Sequence, residues 1–543
     1  MRRSAIVSIC FVSLSPVYAD AQCFRSAKLI GSTALEFMGY ALSDAGDVDR
    51  DGFEDYIAGA YLNDDKFENG GIALVISGGN GFPLHTFWGR EINEQFGIAV
   101  SGAGDVNGDG FADLIVGARL SSASGQFAGR AYVHSGQSGD ELYRFTGERA
   151  GDFFGAAVAD AGDVNNDGFS DMIVGAPQHD VTALKDNAGR AYVFSGKDGE
   201  LLRIHDGEAQ GNQFGWSVAG AGDINADGYD DVIVGAKLYD GWGLEIGRAY
   251  VYSGRDGSLF WVFEGENDGE RLGWSVDGAG DINQDGYDDL LIGGPNNDRN
   301  GDNAGRVYVY SGKTAELLYA LDGEMPNAWF GFSVAGKGDL NGDGAPDIVV
   351  GAPRNNPSEL ILGQAYAFSG RTGELLAIVD DGPTPDEFGF AVANLGTTGS
   401  FNDSTNIGNF FVGAPFNNDG GEHAGRVYRF GCFFLQTDVE ESDIDDDNPV
   451  PNTFRLQQNY PNPFNPETTI KFTLPKKGEV ELAVYNSIGR RVRALASEEL
   501  SAGEYITTWN GRDDAGAQVA SGIYFYRLQY LGVTLTRKMA LLK

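Results

Sequence analysis

Asp223-Ile-Asn-Ala-Asp227-Gly-Tyr-Asp-Asp231 decides how the chain is read, because it is not alone. Near copies begin at Asp47, Asp105, Asp163, Asp281 and Asp339, and successive starts are 58, 58, 60, 58 and 58 residues apart. Each copy reads D-x-[DN]-x-D-G-x-x-D, with side-chain oxygens at the first, third, fifth and ninth positions and Gly at the sixth. The candidate ligands are Asp47, Asp49, Asp51 and Asp55; Asp105, Asn107, Asp109 and Asp113; Asp163, Asn165, Asp167 and Asp171. The later copies add Asp223, Asn225, Asp227 and Asp231; Asp281, Asn283, Asp285 and Asp289; Asp339, Asn341, Asp343 and Asp347. Oxygen donors at alternate positions around a Gly turn suit a hard cation that takes six to eight oxygens. Ca²⁺ fits best, up to six ions in a structural role; Mg²⁺, which keeps a tight octahedron with retained waters, is the weaker candidate. An acidic hairpin turn would use the same residue types, but six copies in fixed register favour metal.

An EF-hand does not fit. It needs a bidentate Glu at the twelfth position and a helix on each side, whereas Val116 and Val234 stand there. The flanks Leu114-Ile-Val116 and Val232-Ile-Val234 are short, β-branched and apolar, so the loops join strands.

Around each loop lies a repeat of about four short strands. One copy runs Phe214-Gly-Trp-Ser-Val218, the loop, Val232 to Ala236, a variable loop, Gly247-Arg-Ala-Tyr-Val-Tyr-Ser253, a turn, then Ser258 to Glu264. Phe-Gly recurs at Phe96, Phe154, Phe214, Phe330 and Phe388, weakening to Leu272-Gly273 and Phe37-Met-Gly39. The second strand ends in Gly-Ala at Gly59, Gly117, Gly175, Gly235, Gly351 and Gly413, with Gly293-Gly294 in the fifth copy. A seventh copy, Phe388 to Phe430, has a decayed loop, Leu395 to Asn402, where no metal is expected. Seven such units predict an all-β, seven-bladed β-propeller, with an open solenoid as the alternative. Closure is favoured because the seventh copy stops after its third strand and Phe24 to Gly31 supplies a spare strand before the first. In that register Cys23 and Cys432 close the same tight turn, which predicts a disulfide; two unpaired thiols are the alternative.

Phe-Gly, the acidic loop and Gly-Ala-Pro (Gly175 to Pro177, Gly351 to Pro353, Gly413 to Pro415) resemble the FG-GAP repeat of integrin α-subunit propellers and their bacterial relatives. The resemblance covers about Phe24 to Cys432. It implies a seven-bladed propeller with calcium in the loops joining the first two strands of a blade; six loops match here, where integrins carry fewer. It carries over no integrin ligand recognition, which depends on a partner subunit and on unmatched loop residues.

The chain has 543 residues, 80 of them Gly, and a net charge of −39, of which the loops hold nineteen carboxylates. That balance argues against nucleic acid and anionic membranes as partners. Met1-Arg-Arg-Ser, an apolar Ala5 to Val17 and small residues near Ala19 and Ala21 predict a signal peptide over 1–21. No later stretch is long and apolar enough to span a bilayer. Cys10 leaves with the signal peptide, so Cys23 and Cys432 remain in a compartment that permits disulfides.

The predicted propeller, 22–432, is followed by an acidic linker, 433–453, with seven acidic residues between Asp438 and Asp447 and then Pro449 and Pro451. Residues 454–543 carry 12 basic and 8 acidic side chains and six strand-like runs, which predict a small Ig-like sandwich. Asn459-Tyr-Pro-Asn-Pro-Phe-Asn465, Val484 to Gly489, Ser521 to Tyr526 and the end Lys538 to Lys543 look like the type A C-terminal sorting domain of the type IX secretion system. That resemblance implies a Gram-negative bacterium, export through type IX machinery, and release or attachment at the outer surface.

Chemistry beyond metal is sparse. His85, His134, His179, His205 and His423 form no paired pattern and read as surface or strand residues. No nucleophile elbow or phosphate loop appears. Arg130, Arg190, Arg248, Arg306 and Arg426 recur where the third strand begins, which suits structural pairing with carboxylates. Recognition is expected in the variable loops after Gly-Ala, on the face opposite the acidic loops. Tyr239, Trp242 and Trp329 lie in or beside them as candidate ligand contacts, against packing under the loops; Trp216 and Trp274 read as core. The sequence therefore predicts an exported, calcium-binding, monomeric propeller that recognises an extracellular protein or glycan. The alternatives are a propeller-based glycan lyase or hydrolase, and a passive surface spacer.

Overall fold

The computed structural model describes residues 22–31, 34–241, 243–355, 362–382, 386–397, 407–433, 455–456, 459, 464, 466–474, 476–486, 490–530 and 533–541. The predicted signal peptide, the linker from 434 onward, Trp242 and the decayed loop beyond residue 397 lie outside them. Contacts divide the chain into two compact units, Met1–Phe434 and Leu435–Lys543. Among the described residues there is no helix.

The first unit holds seven four-stranded antiparallel sheets. The fourth is typical, with strands Phe214–Gly222, Asp231–Ala236, Arg248–Tyr252 and Leu259–Glu264 paired in that order. Its second strand, DVIVGA, is buried at every residue, which is why it is a continuous apolar run rather than an alternating one. Its outer strand is only partly covered, with Leu259 and Val262 exposed and Phe263 buried.

The first strands of successive sheets touch one another: Ala41–Gly46, Phe96–Gly104, Ala157–Gly162, Phe214–Gly222, Ser275–Gly280, Ser333–Ala335 and Ala391–Thr397. The last of these also touches the first, so the ring closes and the solenoid is excluded. The seventh sheet shows how. Its order is Gln22–Ile30, Arg426–Phe433, Ile407–Ala414, Ala391–Thr397, so the chain's N-terminal strand forms the outer edge of the last blade. In this pairing Cys23 lies opposite Cys432, and the two are joined by a disulfide.

The repeated glycines make the joint between blades. A Cβ on Gly175 would sit 2.1 Å from the carbonyl oxygen of Gly215 in the next blade, so only Gly permits the approach. The same contact closes the ring, where a Cβ on Gly413 would lie 2.1 Å from the oxygen of Gly39. The core fills the spaces between blades. Ile233, Val251 and Phe263 of the fourth pack on Leu272, Leu290, Ile292 and Tyr308 of the fifth. At the closing seam Phe411 stacks on Tyr56 with ring centres 3.8 Å apart.

The second unit contains a three-stranded sheet (Arg455–Leu456, Thr468–Leu474, Gly503–Trp509) and a four-stranded one (Arg491–Leu500, Gly478–Asn486, Gly522–Tyr530, Val533–Leu541). Ile470, Phe472 and Trp509 of the first pack with Leu482, Val484, Tyr526 and Met539 of the second, which is the predicted Ig-like sandwich. Asn459 of the Asn-Tyr-Pro-Asn-Pro-Phe run is buried. Its N–H donates to the Tyr526 hydroxyl and its Nδ2 to Thr468 Oγ1, both at 2.8 Å.

Candidate functional site

The six acidic loops share one hydrogen-bond pattern. In the fourth blade, Asp223 at the first position accepts the N–H groups of Asp227 (3.0 Å) and Gly228 (2.8 Å). Asp227 at the fifth position accepts the Tyr229 N–H at 3.1 Å. The ninth-position Asp231 is fully buried; Oδ1 accepts the Gly254 N–H at 3.0 Å and Oδ2 the Ile224 N–H at 3.2 Å. It thereby ties the loop to the turn between the third and fourth strands. Asp55, Asp113, Asp171, Asp289 and Asp347 bond Gly78, Gly136, Gly196, Gly312 and Gly370 in the same way.

These bonds bring the carboxylates together and leave oxygen lone pairs over. One oxygen each of Asp47, Asp49 and Asp55 lie within 4.8 Å of one another. In the third loop Asn165 donates its Nδ2 to Asp171 Oδ1 at 3.4 Å, and its Oδ1 is buried with no hydrogen-bond partner. A buried carbonyl oxygen without a donor, set among carboxylates, fits a cation better than it fits a self-contained turn. Burial pushes the carboxyls of Asp55, Asp113, Asp171, Asp231, Asp289 and Asp347 up to about 7, against the pull of their backbone donors. Basic side chains cover some loops: Lys197 and Arg255 come within 3.9 Å of Asp167 and Asp227.

The recurring arginines are structural. Arg130 pairs with Glu91, Arg190 with Glu148 and Asp206, Arg306 with Glu266 and Asp322, and Arg426 with Asp419. Arg248 pairs with Glu208 and Glu264. Tyr239 is part of this framework, because the Arg248 guanidinium lies 3.6 Å over its ring.

Strand direction puts the Phe-Gly and Gly-Ala ends on the face opposite the acidic loops. There the residue after each repeat Gly points inward. Trp216, Trp274, Phe332, Phe390 and Tyr40 come from five consecutive blades, with successive ring centres 5.5, 5.2, 4.7 and 4.8 Å apart. Trp216 and Trp274 are thus half-buried members of an aromatic crown, not core residues as the sequence predicted. The preceding Gly at positive φ swings the chain (82° at Gly215, 79° at Gly273), so the next side chain leaves the space between blades. Trp329 stacks on Phe332 at 5.8 Å and carries Arg354 3.7 Å over its ring.

Lys237, which stands where four other copies have Pro and the second has Arg119, reaches into this crown. Its Nζ lies 2.8 Å from the ring centre of Trp216 and 4.2 Å from that of Trp274, and the residue is only 7 % exposed. Burial, reinforced by Arg271 and Arg119, pushes its amine down to about 7; the two indole faces favour the cation. Arg119 is held by its Nε, which donates to Gln95 Oε1 at 2.9 Å. The sequence signal for the crown was present in the aromatic after Phe-Gly, but periodicity alone assigns such a residue to a strand face.

His85, His134 and His205 lie on strands as expected, but one histidine differs. His179 is not at the surface; it is fully buried 3.1 Å from Asp152, beneath its loop. Along the first strands Asp160 and Asp277 face Lys337, whose ammonium they favour, and Asp277 accepts the Gly336 N–H at 2.9 Å. No sequence pattern marked this set, because it joins different positions of different copies.

Comparison with known proteins agrees with this geometry. The FG-GAP repeat model matches residues 96–134, 154–194, 214–252, 272–310 and 330–369, and the FlgD Ig-like domain model matches 463–532. Integrin alpha-5 of Xenopus laevis is 33% identical over 216 residues, covering 37% of this chain and 20% of the relative. Integrin alpha-6 of Gallus gallus is 37% identical over 162 residues (28% and 14%), and integrin alpha pat-2 of Caenorhabditis briggsae 29% over 236 (39% and 19%). The chain spans about a fifth or less of these relatives' length. The first unit is an integrin-like FG-GAP β-propeller.

Proposed function

We propose that this chain is an exported, calcium-stabilised propeller that recognises an extracellular macromolecule or glycan. The observation that carries the reading is the separation of roles between the two faces. One face repeats the same oxygen-rich loop six times, while the other holds the loops after Gly-Ala, which differ in sequence and length from copy to copy. A feature repeated around a ring serves the ring; a unique ligand needs unique residues. Similarity to integrin alpha chains supports recognition or adhesion as the role.

Up to six Ca²⁺ ions would be held by the residues at the first, third, fifth and ninth positions of the loops beginning at Asp47, Asp105, Asp163, Asp223, Asp281 and Asp339. When bound, such an ion neutralises carboxylates that otherwise repel, and so couples metal to folding. The protein's own contribution is the backbone cradle that fixes each carboxylate. Trp329 joins the aromatic crown as a candidate ligand contact, and Trp242 belongs to the neighbouring variable loop. Delivery would use the signal peptide over 1–21 and the C-terminal Ig-like unit as a type IX sorting domain, placing the protein at or beyond the bacterial outer surface. The match of that unit to the FlgD Ig-like domain supports its fold.

The test is binding of the full chain to glycan and matrix-protein arrays, in calcium and in chelator. Calcium-dependent capture of one ligand class, lost on substitution within the variable loops, is the expected result. A folded, calcium-loaded protein that captures nothing would refute the reading.

A further inference from the structure

The aromatic crown has a charge that the rest of the molecule does not. The chain carries a net −39, yet the two charges in the crown without a carboxylate partner are both cations. Among the described residues neither Lys237 nor Arg119 has a carboxylate oxygen within the 4.0 Å of an ion pair. Two carboxylates on this face are already engaged: Glu245 accepts from Arg271 Nε at 2.9 Å, and Glu387 lies 3.5 Å from Arg354. Lys237 is more than nine-tenths buried and its ammonium lies over two indole faces. A buried cation in that setting lacks the charge-assisted bonds that would stabilise it best.

The rings form walls rather than a platform. Neighbouring planes are inclined by 53° (Trp216 to Trp274), 45° (Trp274 to Phe332), 54° (Phe332 to Phe390) and 42° (Phe390 to Tyr40). Inclined aromatic faces with a few charged groups are the usual lining of a small-ligand site. Rings of this kind take the C–H face of a sugar; the cations take an anionic substituent. The rim narrows the choice further. The variable loops around the mouth expose Asp64, Asp65, Asp180, Asp240 and Asp298. A polyanionic chain or an acidic peptide would be repelled by that rim, whereas a single carboxylate passes it and hydroxyl groups find acceptors there.

We propose that the crown is a binding site for a sugar bearing one carboxylate, the acidic terminal unit of a glycan, held by Lys237 and Arg119 against the aromatic rings of the crown. The site deepens the recognition role proposed above and rests on it. The carboxylate accepts from the Lys237 ammonium and the Arg119 guanidinium, the pyranose ring packs on the crown's remaining rings, Phe332, Phe390 and Tyr40, and the hydroxyls face the loops.

The experiment titrates the full chain, in calcium, with D-galacturonic acid, D-glucuronic acid and N-acetylneuraminic acid, following tryptophan fluorescence and heat. Controls are the methyl ester of galacturonic acid, galactose and an Asp/Glu peptide. At least one acid binds, and its ester or neutral counterpart binds about tenfold or more weakly, as loss of a charge-assisted pair requires. Lys237→Met and Arg119→Gln each weaken the acid by about tenfold or more with unchanged melting in calcium. Equal binding of acid and ester, no binding of any acid up to about 10 mM, preference for the peptide, or parent-like affinity in folded Arg119→Gln would each overturn the proposal. Array capture of another ligand class that survives both substitutions would overturn it too, while leaving the broader recognition role standing.

Discussion

Cys23 and Cys432 are bonded across a sequence separation of 409 residues, as direct cross-strand neighbours on the outermost pair of strands of the seventh sheet. The bond therefore joins the two ends of the ring at the seam where one blade is assembled from both.

A cross-link over so long a loop restricts the unfolded chain strongly, so the Cys23→Ser, Cys432→Ser double variant is expected to lose about 2–4 kcal/mol of stability. Denaturant unfolding in saturating calcium measures it. Reductant should bring the parent to the variant's midpoint and leave the variant where it is. A midpoint shared by all four conditions would mean that the seam is held by the Arg426–Phe433 pairing and the Tyr56–Phe411 stack alone.

Two glycine substitutions separate contact from conformation. Gly175→Ala forces a Cβ to within 2.1 Å of the Gly215 oxygen, and backbone on backbone cannot yield cheaply. A loss of about 2–3 kcal/mol is expected. Gly168 lies in the acidic loop at φ +88° with nothing within 4 Å of its Cβ position. Gly168→Ala carries only the left-handed backbone cost, about 1 kcal/mol. Melting of both variants in chelator, where metal plays no part, checks the order; equal losses would deny the joint its steric basis.

Metal and scaffold can be separated within one loop. Asp227 accepts one backbone N–H, whereas Asp231 holds Gly254 and Ile224 at once. Asp227→Ala should lose one calcium equivalent and the corresponding calcium-dependent gain in melting temperature, but melt close to the parent in chelator. A site filled at about a hundredfold over its dissociation constant contributes about 2.7 kcal/mol. Asp231→Ala should be destabilised even in chelator, because two buried N–H groups lose their acceptor. Calcium titration followed by calorimetry distinguishes them, and identical melting of parent and Asp227→Ala in saturating calcium would count against metal in that loop.

Much of this architecture was legible because it is repeated. The register of seven repeat copies, six of them with acidic loops, pointed to blade number and strand order, and the missing last strand of the seventh copy pointed to Gln22–Ile30. The purpose of the Phe-Gly and Gly-Ala glycines was not legible, since each makes its contact with a different blade. The crown was hidden for the same reason. Trp216 and Trp274 are 58 residues apart in sequence and meet only when the ring is formed. Lys237, like Tyr61 and Arg119, departs from the Gly-Ala-Pro pattern, and nothing in the linear sequence says that it lies over the crown's indoles.

Acid should weaken the propeller through two histidines that occupy aromatic slots. His134 stands where other third strands end in Phe194, Tyr252 or Tyr310, and stacks on Phe87 at 4.1 Å. His205 replaces the Phe145 or Phe263 of other outer strands and stacks on Tyr252 at 4.0 Å. Burial holds both rings down to about 4, with Arg90 adding to the effect at His134 and Arg203 at His205. In the unfolded chain each protonates near 6.5. The folded state thus binds fewer protons than the unfolded one between these values. The stabilisation is complete above about pH 6.5 and is lost as pH falls towards 4, by about 3 kcal/mol for each ring. The ninth-position carboxyls, raised to about 7 without metal, run in the opposite sense, so the comparison belongs in saturating calcium and between variants. His134→Phe with His205→Phe keeps an aromatic ring in both slots and removes the titration. Its stability should match the parent at pH 7 and exceed it progressively from pH 6 to pH 4. Parallel curves for parent and double variant over that range would show that neither imidazole is held neutral by the fold.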